Sequence, residues 1–391
     1  MNISFILTTF NVAAYVEQCL NSLVGCVRPG DEVILIDDGS TDGTDTLAEA
    51  RLAAGFGPEV ATRLVLLGTN TIGGVGIPAN IGLSHASREA VFFVDGDDWM
   101  EPKGFRSCRA AFDASGADIL IGNYLEHDES TGQSKHPSDI LRWANLPAAG
   151  EDLEARRDLA LSLISVPWRK FYRRDFLTDA DARFPEGDFF YEDNPFHWQI
   201  CRAASSIAFH DAVLSHHRIN RPGQTMAATG IEFLAFFDHY ETIRRSLSEN
   251  ETGHQAAALQ WLVNNMSWHI GRMDHGVFWA YAARAAQVLE GQAVTWADLR
   301  ARFAGSAIGG MVDALVRGQV AGTVAAWMAD RSLQASAQIN ARLDAMGRGT
   351  ATSDIGGGGP AVADPVQALR LIAEFRALRA LHDADTIDLV E

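Results

Sequence analysis

A short apolar stretch that ends in carboxylates constrains this chain more than any other feature. Residues 91–98 read VFFVDGDD, an uninterrupted run of β-branched and aromatic residues followed by three aspartates. Such a run is typical of a strand buried inside a parallel sheet. Open α/β sheets bind ligands at the carboxyl ends of their strands, and burying unpaired carboxylates is costly. The motif therefore predicts a polar or cationic ligand at this point.

The spacing of the aspartates indicates what kind of ligand this would be. Asp95 and Asp97 are two positions apart, so in an extended chain they share one face. That arrangement suits one hard divalent cation together with phosphate oxygens. For the motif taken alone, a solvated acidic turn is the alternative interpretation. For Asp98, a cap on the following helix is equally consistent with the sequence.

The first 100 residues alternate between strand-like and helix-like segments. This order predicts a mostly parallel sheet flanked by helices. The second strand also ends in acidic residues, Asp37 and Asp38, and both acidic strand ends should lie on the same edge of the sheet. No GxGxxG follows the first strand and no GxxxxGK[ST] occurs, which disfavours dinucleotide and P-loop sites. The predicted strands are 3–7, 32–36, 63–67 and 90–94, and the predicted helices are 12–23, 44–54 and 78–85.

The α/β pattern fades in the next part of the chain. A strand is predicted at 118–125, and residues 166–174 form a basic cluster in an otherwise acidic sequence. Glu192 and Asp193 precede a helical segment, where Asp193 would by itself indicate a helix cap. Two short strands are predicted at 207–209 and 212–216.

A polar, basic loop follows the second of these short strands and extends to Thr225. His216 and His217 alternate along the strand end, so only one of them should face a cleft. Beyond about residue 230 the pattern is helical throughout. The candidate helices are 231–248, 254–271, 277–290, 295–304 and 320–345. Their tryptophans are expected to be core residues: Trp261, Trp268, Trp279, Trp296 and Trp327.

Composition narrows the class of protein. With 391 residues, the chain should form two domains. Its net charge of −18 argues against nucleic-acid binding, although a local positive site could still bind an anionic substrate. The four cysteines form no CxxC pair and are expected to be reduced and buried. The N-terminus enters a strand directly and no stretch of about 18 apolar residues occurs, so neither a signal peptide nor a membrane span is expected.

Several separated motifs together resemble the glycosyltransferase family 2 enzymes of GT-A fold, of the bacterial polysaccharide or glycan type. The WRK segment at 168–170 and the loop from Arg218 to Thr225 are similar to intermediate and closing segments of that family. The resemblance covers about residues 1–228. The four main motifs, in the family's order, are TTFN at 8–11, IDDGSTD at 36–42, DGDD at 95–98 and ED at 192–193.

The resemblance implies a GT-A nucleotide-diphospho-sugar transferase fold, a nucleotide-sugar donor, usually a UDP-sugar, and inversion at the anomeric carbon. It also implies a divalent metal, Mn²⁺ or Mg²⁺. Asp38 would receive the base, and Thr9 and Asn11 would line the nucleotide cleft. Asp95 would face the ribose or the waters of the metal, and Asp97 would bind the metal directly.

Further roles concern the diphosphate and the reaction itself. Asp193 resembles the general base, and Glu192 beside it would bind acceptor or donor hydroxyls. Arg218 and Thr225 could clamp the diphosphate, with Lys170 and Arg221 as further candidates. His217 is a candidate third metal ligand. The sequence departs from the family's pattern at Thr8, often Pro, at Ala79, often Arg, and at Gln224, often Ser.

The resemblance also suggests domain boundaries. Residues 1–228 would be the catalytic domain, with donor binding in 1–100 and the acceptor and catalytic residues in 101–228. An all-helical domain would span 229–350. A glycine-rich linker at 351–363 would lead to an amphipathic helix and tail at 364–391. The helices could shape the acceptor side or make a homo-oligomer.

The resulting hypothesis is an inverting, metal-dependent glycosyltransferase. It would transfer a sugar to a hydroxyl of a polysaccharide, glycolipid or surface glycan, in the cytoplasm or peripherally at the inner face of the membrane. A catalytically silent nucleotide-sugar or glycan-binding partner of a glycan assembly system is the alternative. The presence of both Asp97 and Asp193 argues against that alternative.

Overall fold

A computed structural model describes residues 1–146, 150, 152–224 and 229–350, with side chains described up to residue 343. Thr225 and the predicted linker and last helix at 351–391 lie outside the described residues. The strands are β1 (Ile3–Thr9), β2 (Glu32–Asp37), β3 (Ala61–Leu66), β4 (Ala90–Asp95), β5 (Trp99–Met100), β6 (Ile119–Asp128), β7 (Gln133–Lys135), β8 (Lys170–Arg173) and β9 (Ile207–Ile219).

Helices separate these strands and continue alone after the last one. Short 3₁₀ turns at 140–145, 167–169, 231–234, 275–277 and 300–303 connect them. The helices are α1 (Val16–Leu23), α2 (Thr44–Ala54), α3 (Gly76–His85), α4 (Pro102–Ser115), α5 (Leu153–Ser162), α6 (Arg174–Asp179), α7 (Asp193–Ala203), α8 (Ala235–Arg245), α9 (Thr252–Ile270), α10 (Phe278–Glu290), α11 (Ala293–Leu299), α12 (Ala307–Val316) and α13 (Val320–Thr350).

The strands form one sheet in the order β3-β2-β1-β4-β8-β6-β9-β5, with β7 paired to β6. The first four strands are parallel, as their continuous apolar sequences predict. The second half is mixed, because β8 lies antiparallel between β4 and β6. The sheet and flanking helices confirm the GT-A fold class.

Two details of the second half differ from the sequence prediction. The two short strands predicted at 207–216 are one long strand, β9, which follows β6 in parallel through two register shifts. Part of the basic cluster is β8, which no sequence pattern indicated because four residues are too few for a clear alternation.

The sheet separates two hydrophobic clusters. Phe5 and Phe92 point to one face and pack beneath α1, α2 and α4. Their neighbours Ile6 and Phe93 point to the other face, where α7 and the helices after residue 229 cover them. This alternation is the period of two expected for a strand that is buried on both faces.

Residues 1–329 form one compact unit, and residues 330–350 belong to a second unit as the continuation of α13. After residue 229 the described residues are helical, as predicted, although α12 was not foreseen. Where the catalytic and helical domains divide stays a prediction. Among the described residues, no helix is both long and apolar enough to cross a bilayer.

The tryptophans and cysteines test the predicted core. Trp296 and Trp327 are buried, and so are all four cysteines, as expected. For Trp279 the prediction was wrong, because its side chain is 59% exposed. Trp261 and Trp268 are half-buried and line a cavity instead.

Candidate active site

The ends of β1, β2 and β4 lie side by side and form what we call the carboxyl edge (residues 9, 37–38 and 95–98). Thr8 is in register with Asp95, and Thr9 is in register with Asp37. Both acidic strand ends therefore flank β1, which confirms that they lie on the same edge of the sheet.

Thr9, a predicted nucleotide ligand, is held by its neighbour on β2. Its side chain is buried, and its Oγ1 donates to Asp37 Oδ2 over 2.8 Å. Asp37 also accepts hydrogen bonds from the backbone N (2.9 Å) and Oγ (2.7 Å) of Ser40, so it organises the turn, as expected for an aspartate there. Through Asp37, Thr9 supports this turn beside the predicted nucleotide cleft.

Asp38, which follows β2, contacts the loop that contains Asn70 and Thr71. Its Oδ1 accepts from Thr71 N over 2.9 Å, and its Oδ2 accepts from Asn70 Nδ2 and Thr71 Oγ1 over 3.0 and 2.9 Å. Burial raises the pKa of Asp38, whereas the hydrogen bonds from Thr71 act in the opposite direction. A carboxylate has about four acceptor sites, so capacity for another donor remains.

Asn11 lies at the exposed rim of the same loops. Its backbone is in the left-handed region (φ 49°), its N donates to Ser40 Oγ and its Oδ1 accepts from Thr41 N, both over 2.9 Å. Asn11 does not cap α1, because that helix begins only at Val16. The strained conformation instead turns the chain across the end of β1, beside the predicted nucleotide cleft.

Three aspartates converge after β4. Each of Asp95, Asp97 and Asp98 places one carboxylate oxygen so that all three atoms lie within 4.8 Å of one another. Burial, followed by the charges of Asp98 and Asp97, raises the pKa of Asp95 well above its usual value. An all-oxygen donor set with mutually repelling charges fits a hard divalent cation, which would relieve that repulsion. Asp98, for which the sequence equally indicated a helix cap, belongs to this group.

The long strand β9 and the loop that follows it supply hydrogen-bonding groups to Asp97 and Asp98. His217 Nδ1 lies 2.9 Å from Asp98 Oδ2, and the backbone N of Arg218 donates to Asp98 Oδ1 over 2.7 Å. Arg221 Nε donates to Asp97 Oδ2. Burial alone would lower the pKa of His217, but Asp98 and Asp97 outweigh it and raise that pKa to about 9.

His217 is the histidine that faces the cleft. It stacks against Trp168 with ring centroids 4.9 Å apart, whereas His216 turns away and stacks on Trp99 at 4.7 Å. This confirms the predicted alternation. His217 is not among the described residues whose ligand atoms share the 4.8 Å group, so its role as a metal ligand stays a prediction.

Each nitrogen of the Arg218 guanidinium donates to a protein group. Its Nε donates to Asp97 O (2.8 Å), its Nη2 to Gln18 Oε1 (2.8 Å) and its Nη1 to Glu129. It also lies 4.6 Å from the ring of Tyr15. With this set of partners, Arg218 fixes the aspartate loop. These bonds use three of its five N–H groups, and its role as a diphosphate ligand stays a prediction.

Lys170 is also placed away from open solvent. It is fully buried in β8, and its Nζ donates to the carbonyls of Ser165 and Val166 over 3.1 and 2.5 Å. Burial lowers the pKa of Lys170 to about 7. The alternation of β8 directs the side chain inward, and the predicted contact of Lys170 with the nucleotide sugar stays a prediction.

Asp193 and Glu192 begin α7 and have different surroundings. Glu192 is buried, and its Oε1 accepts from the backbone N of Gly76 over 2.6 Å. Burial raises the pKa of Glu192 to about 7. It therefore connects the glycine loop at 73–76 to α7, and its contact with acceptor or donor hydroxyls stays a prediction. Asp193 is half-buried, and burial raises its pKa to about 6 while the charge of Lys170 opposes the rise.

A cavity of about 1030 Å³, which we call the α9 cavity, opens next to Asp193. One wall comes from α9 and the other from β6, α5 and the start of α7. Sequence reasoning missed this site, because its lining comes from segments between residues 124 and 302. Its residues include Tyr124, Glu126, Asp193, His217, Gln260, Trp261, Asn264, Asn265, Trp268 and Arg302.

Comparison with known proteins identifies the class. Residues 4–180 match the model of glycosyl transferase family 2. The putative glycosyltransferase EpsH of Bacillus subtilis is 27% identical over 252 residues, which are 63% of this chain and 70% of that protein.

A second relative and its structure agree with this result. The poly(ribitol-phosphate) β-N-acetylglucosaminyltransferase TarS of Staphylococcus aureus is 28% identical over 246 residues, 62% of this chain but only 39% of that protein. The structure of TarS residues 1–349 in complex with UDP-GlcNAc superimposes with a TM-score of 0.65 at 21% identity, covering 85% of this chain and 92% of that one.

The fold and the aspartate-lined sheet edge thus define a GT-A protein. The chain contains a glycosyltransferase family 2 domain, and the interpretation of the protein as a glycosyltransferase is confirmed.

Proposed function

We propose that the protein is an inverting, metal-dependent enzyme that transfers a sugar from a UDP-sugar to a hydroxyl of a glycan acceptor. One observation carries the proposal. The carboxylates of Asp95, Asp97 and Asp98 converge after β4, and His217, which bonds to Asp98, lines the α9 cavity together with Asp193. Of these four aspartates, only Asp193 lines that cavity. Such a division suits a donor bound at the sheet edge and an acceptor bound in the cavity.

The nucleotide would lie across β1 and β2. Asp38 retains acceptor capacity for the base, and Asn11 and the turn fixed by Thr9 would border the cleft. The complex of TarS with UDP-GlcNAc supports a UDP-sugar donor for a chain of the same fold. Thr225 remains a candidate diphosphate ligand outside the described residues.

Asp97, Asp95 and Asp98 would hold a divalent cation, for which Mn²⁺ and Mg²⁺ are the candidates. When bound, such an ion neutralises charge that develops on a diphosphate leaving group. Arg221 and Arg218 both donate to Asp97 and bring positive charge to the proposed metal site. His217 remains the candidate further ligand, and binding a metal would require it to lose the proton that Asp98 and Asp97 stabilise.

Asp193 would act as the general base. Inversion requires one base that takes the acceptor hydroxyl's proton as the oxygen attacks the anomeric carbon and the diphosphate leaves. Asp193 Oδ1 accepts from Asn194 Nδ2 over 3.0 Å, which fixes its orientation at the start of α7. Its pKa of about 6 leaves it ionised at neutral pH yet more basic than an ordinary aspartate.

Glu192 would contribute by position. Because its carboxylate accepts the Gly76 N–H, it fixes the glycine loop against α7 and so sets the distance between the two halves of the cleft. The direct contact with substrate hydroxyls that the resemblance implied stays a prediction.

The acceptor is proposed to be a polysaccharide, a glycolipid or a surface glycan, used on the cytoplasmic side. The helices after residue 229 would shape its binding site, and the proposed catalytic domain would end near residue 228. Among these candidates, the cavity beside Asp193 accommodates a chain better than a single small molecule, since about 1030 Å³ is at the upper end of small-molecule sites.

The substitution Asp193→Asn tests this function. It preserves the shape of the side chain but removes the base, so transfer from a panel of UDP-sugars should fall about 10²- to 10⁴-fold. The dissociation constant for UDP with Mn²⁺ should remain within about threefold. The matched control is Asp175→Asn, which makes the same change at a side chain that is 72% exposed.

The alternative function predicts a different result. A catalytically silent binding partner would show no UDP release with any UDP-sugar, and Asp193→Asn would leave its nucleotide and glycan binding unchanged. Normal transfer by the Asp193→Asn variant would exclude Asp193 as the base.

A further inference from the structure

The α9 cavity has a chemical character that the carboxyl edge does not share. We propose that it binds the acceptor as an uncharged saccharide chain, and that one face of α9 recognises this chain and disfavours phosphate-bearing acceptors. This inference rests on the proposed function and names the acceptor class of the same enzyme.

The first argument is the pattern of α9 itself. Trp261, Asn264, Asn265 and Trp268 are spaced i, i+3, i+4 and i+7, so they lie on one face of the helix. All four line the cavity, and Gln260 borders them. This face alternates aromatic rings with carboxamides over two turns.

Both kinds of side chain suit a saccharide. The ring of Trp261 stacks on Phe236 with centroids 5.7 Å apart, which holds it as a flat apolar surface for the C–H face of a sugar. Asn264 is exposed, and Asn265 uses its Nδ2 for the carbonyl of Trp261 over 2.9 Å, which leaves its Oδ1 to accept. Carboxamides both donate and accept, as do sugar hydroxyls.

The charges of the cavity argue against an anionic polymer. Among the described residues that line it, five are acidic, whereas two are arginines, Arg142 and Arg302. Arg302 is already bonded to Gln260 over 2.6 Å. Glu154 and Glu251 are already paired with Arg157 and Arg202, which do not line the cavity. A phosphodiester chain would need several arginines or lysines, whereas the described lining offers two arginines and no lysine. The five acidic residues are Glu126, Glu154, Asp158, Asp193 and Glu251.

The position of the cavity connects recognition to the reaction. Asn194 and Asp193 line it together, so a chain held by α9 would direct a hydroxyl to the proposed base. The lining therefore differs in chemistry from what the name of TarS, a poly(ribitol-phosphate) transferase, would lead one to expect of an acceptor site.

The test uses a glycan array that carries neutral oligosaccharides, phosphate-bearing chains that include ribitol-phosphate oligomers, and uronate-bearing chains. The labelled full-length protein is applied with UDP and Mn²⁺. We expect binding to neutral chains, with phosphate-bearing and uronate-bearing chains at least about tenfold weaker. Trp261→Ala and Asn264→Ala should each weaken neutral-chain binding about tenfold, equivalent to about 1.4 kcal/mol.

Trp279→Ala is the matched control, because this tryptophan is 59% exposed on α10 and does not line the cavity. It should bind as the wild type does. Preferential binding of phosphate-bearing chains, no binding to any neutral chain, or binding that Trp261→Ala and Asn264→Ala leave unchanged would overturn the inference. A protein that binds neutral chains but neither UDP nor a UDP-sugar would contradict the proposed function while leaving the cavity's assignment intact.

Discussion

At the carboxyl edge, every charged side chain of interest follows directly on a buried strand, whereas the α9 cavity takes its lining from segments between residues 124 and 302. The first region is local in sequence and the second is assembled only by folding. The carboxyl edge concentrates carboxylates, and His217 of β9 and Arg221 of the following loop contact them. The cavity combines aromatic rings and carboxamides, and Asp193, the proposed base, lines it. The difference teaches that the proposed donor site of such a chain can be identified from short sequence motifs. The proposed acceptor site depends on how distant helices pack together.

The joint between these two regions is the glycine loop. Gly73 has φ +83°, and a Cβ at this position would lie 2.1 Å from the carbonyl oxygen of Gly187. Gly74 N donates to Phe189 O over 3.0 Å, and Gly76 N donates to Glu192. The loop thus packs against the segment that leads into α7.

A substitution that breaks this joint should have the largest effect, because it acts on both rate and stability. Gly73→Ala should lower transfer about 100-fold, because a displacement of about 1 Å misaligns the base and the donor. It should also cost about 1–3 kcal/mol of unfolding free energy through steric overlap. Rates and denaturant unfolding measure the two effects. Gly68→Ala is the matched control, since a Cβ there meets no atom within 4 Å, and it should change neither quantity. Full activity of Gly73→Ala would show that the joint does not align the two regions.

A smaller effect is expected on the pH dependence of the reaction, through the charge of Lys170 near Asp193. Burial raises the pKa of Asp193 to about 6, and Lys170 from β8 and His217 from β9 oppose that rise. Asp193 in turn raises the pKa of Asp95 on β4. Because the base acts when deprotonated, kcat/KM should fall as the pH drops through about 6.

Lys170→Met removes the positive charge and keeps an apolar stem of similar length. The pKa of Asp193 should then rise, so the acid limb of the pH profile should move upward by about one unit. Rates near pH 8 should change only a few-fold, whereas a merely structural defect would lower the rate at every pH. An acid limb that stays in place would mean that Lys170 does not influence the base.

Much of the carboxyl edge was predictable from the sequence. The run before Asp95 defines a buried strand, and paired acidic strand ends place Asp38 near it, so periodicity and parallel connection rules suffice. For Asp98 the sequence left a helix cap equally open, because its partners His217 and Arg218 come from a strand more than a hundred residues later.

The environments of the other site residues could not be predicted, because they depend on the direction in which each side chain points in the folded protein. Lys170 belongs to a strand too short to show its alternation, and it proved to be buried. Trp261 was expected in the core, yet α9 presents it to a cavity whose opposite wall no local pattern indicates. Glu192 was paired with Asp193 by the motif, but the first turn of α7 directs the two carboxylates to different places.

The central claim is that donor binding belongs to the carboxyl edge and proton transfer to Asp193. Isothermal titration with UDP, and separately with GDP, with and without Mn²⁺, tests it most directly in the wild type, Asp97→Ala and Asp193→Asn. We predict Mn²⁺-dependent UDP binding that is lost in Asp97→Ala and retained in Asp193→Asn. Absence of binding to either nucleotide by the folded wild type, or equal UDP binding by wild type and Asp97→Ala, would contradict the assignment of the donor site.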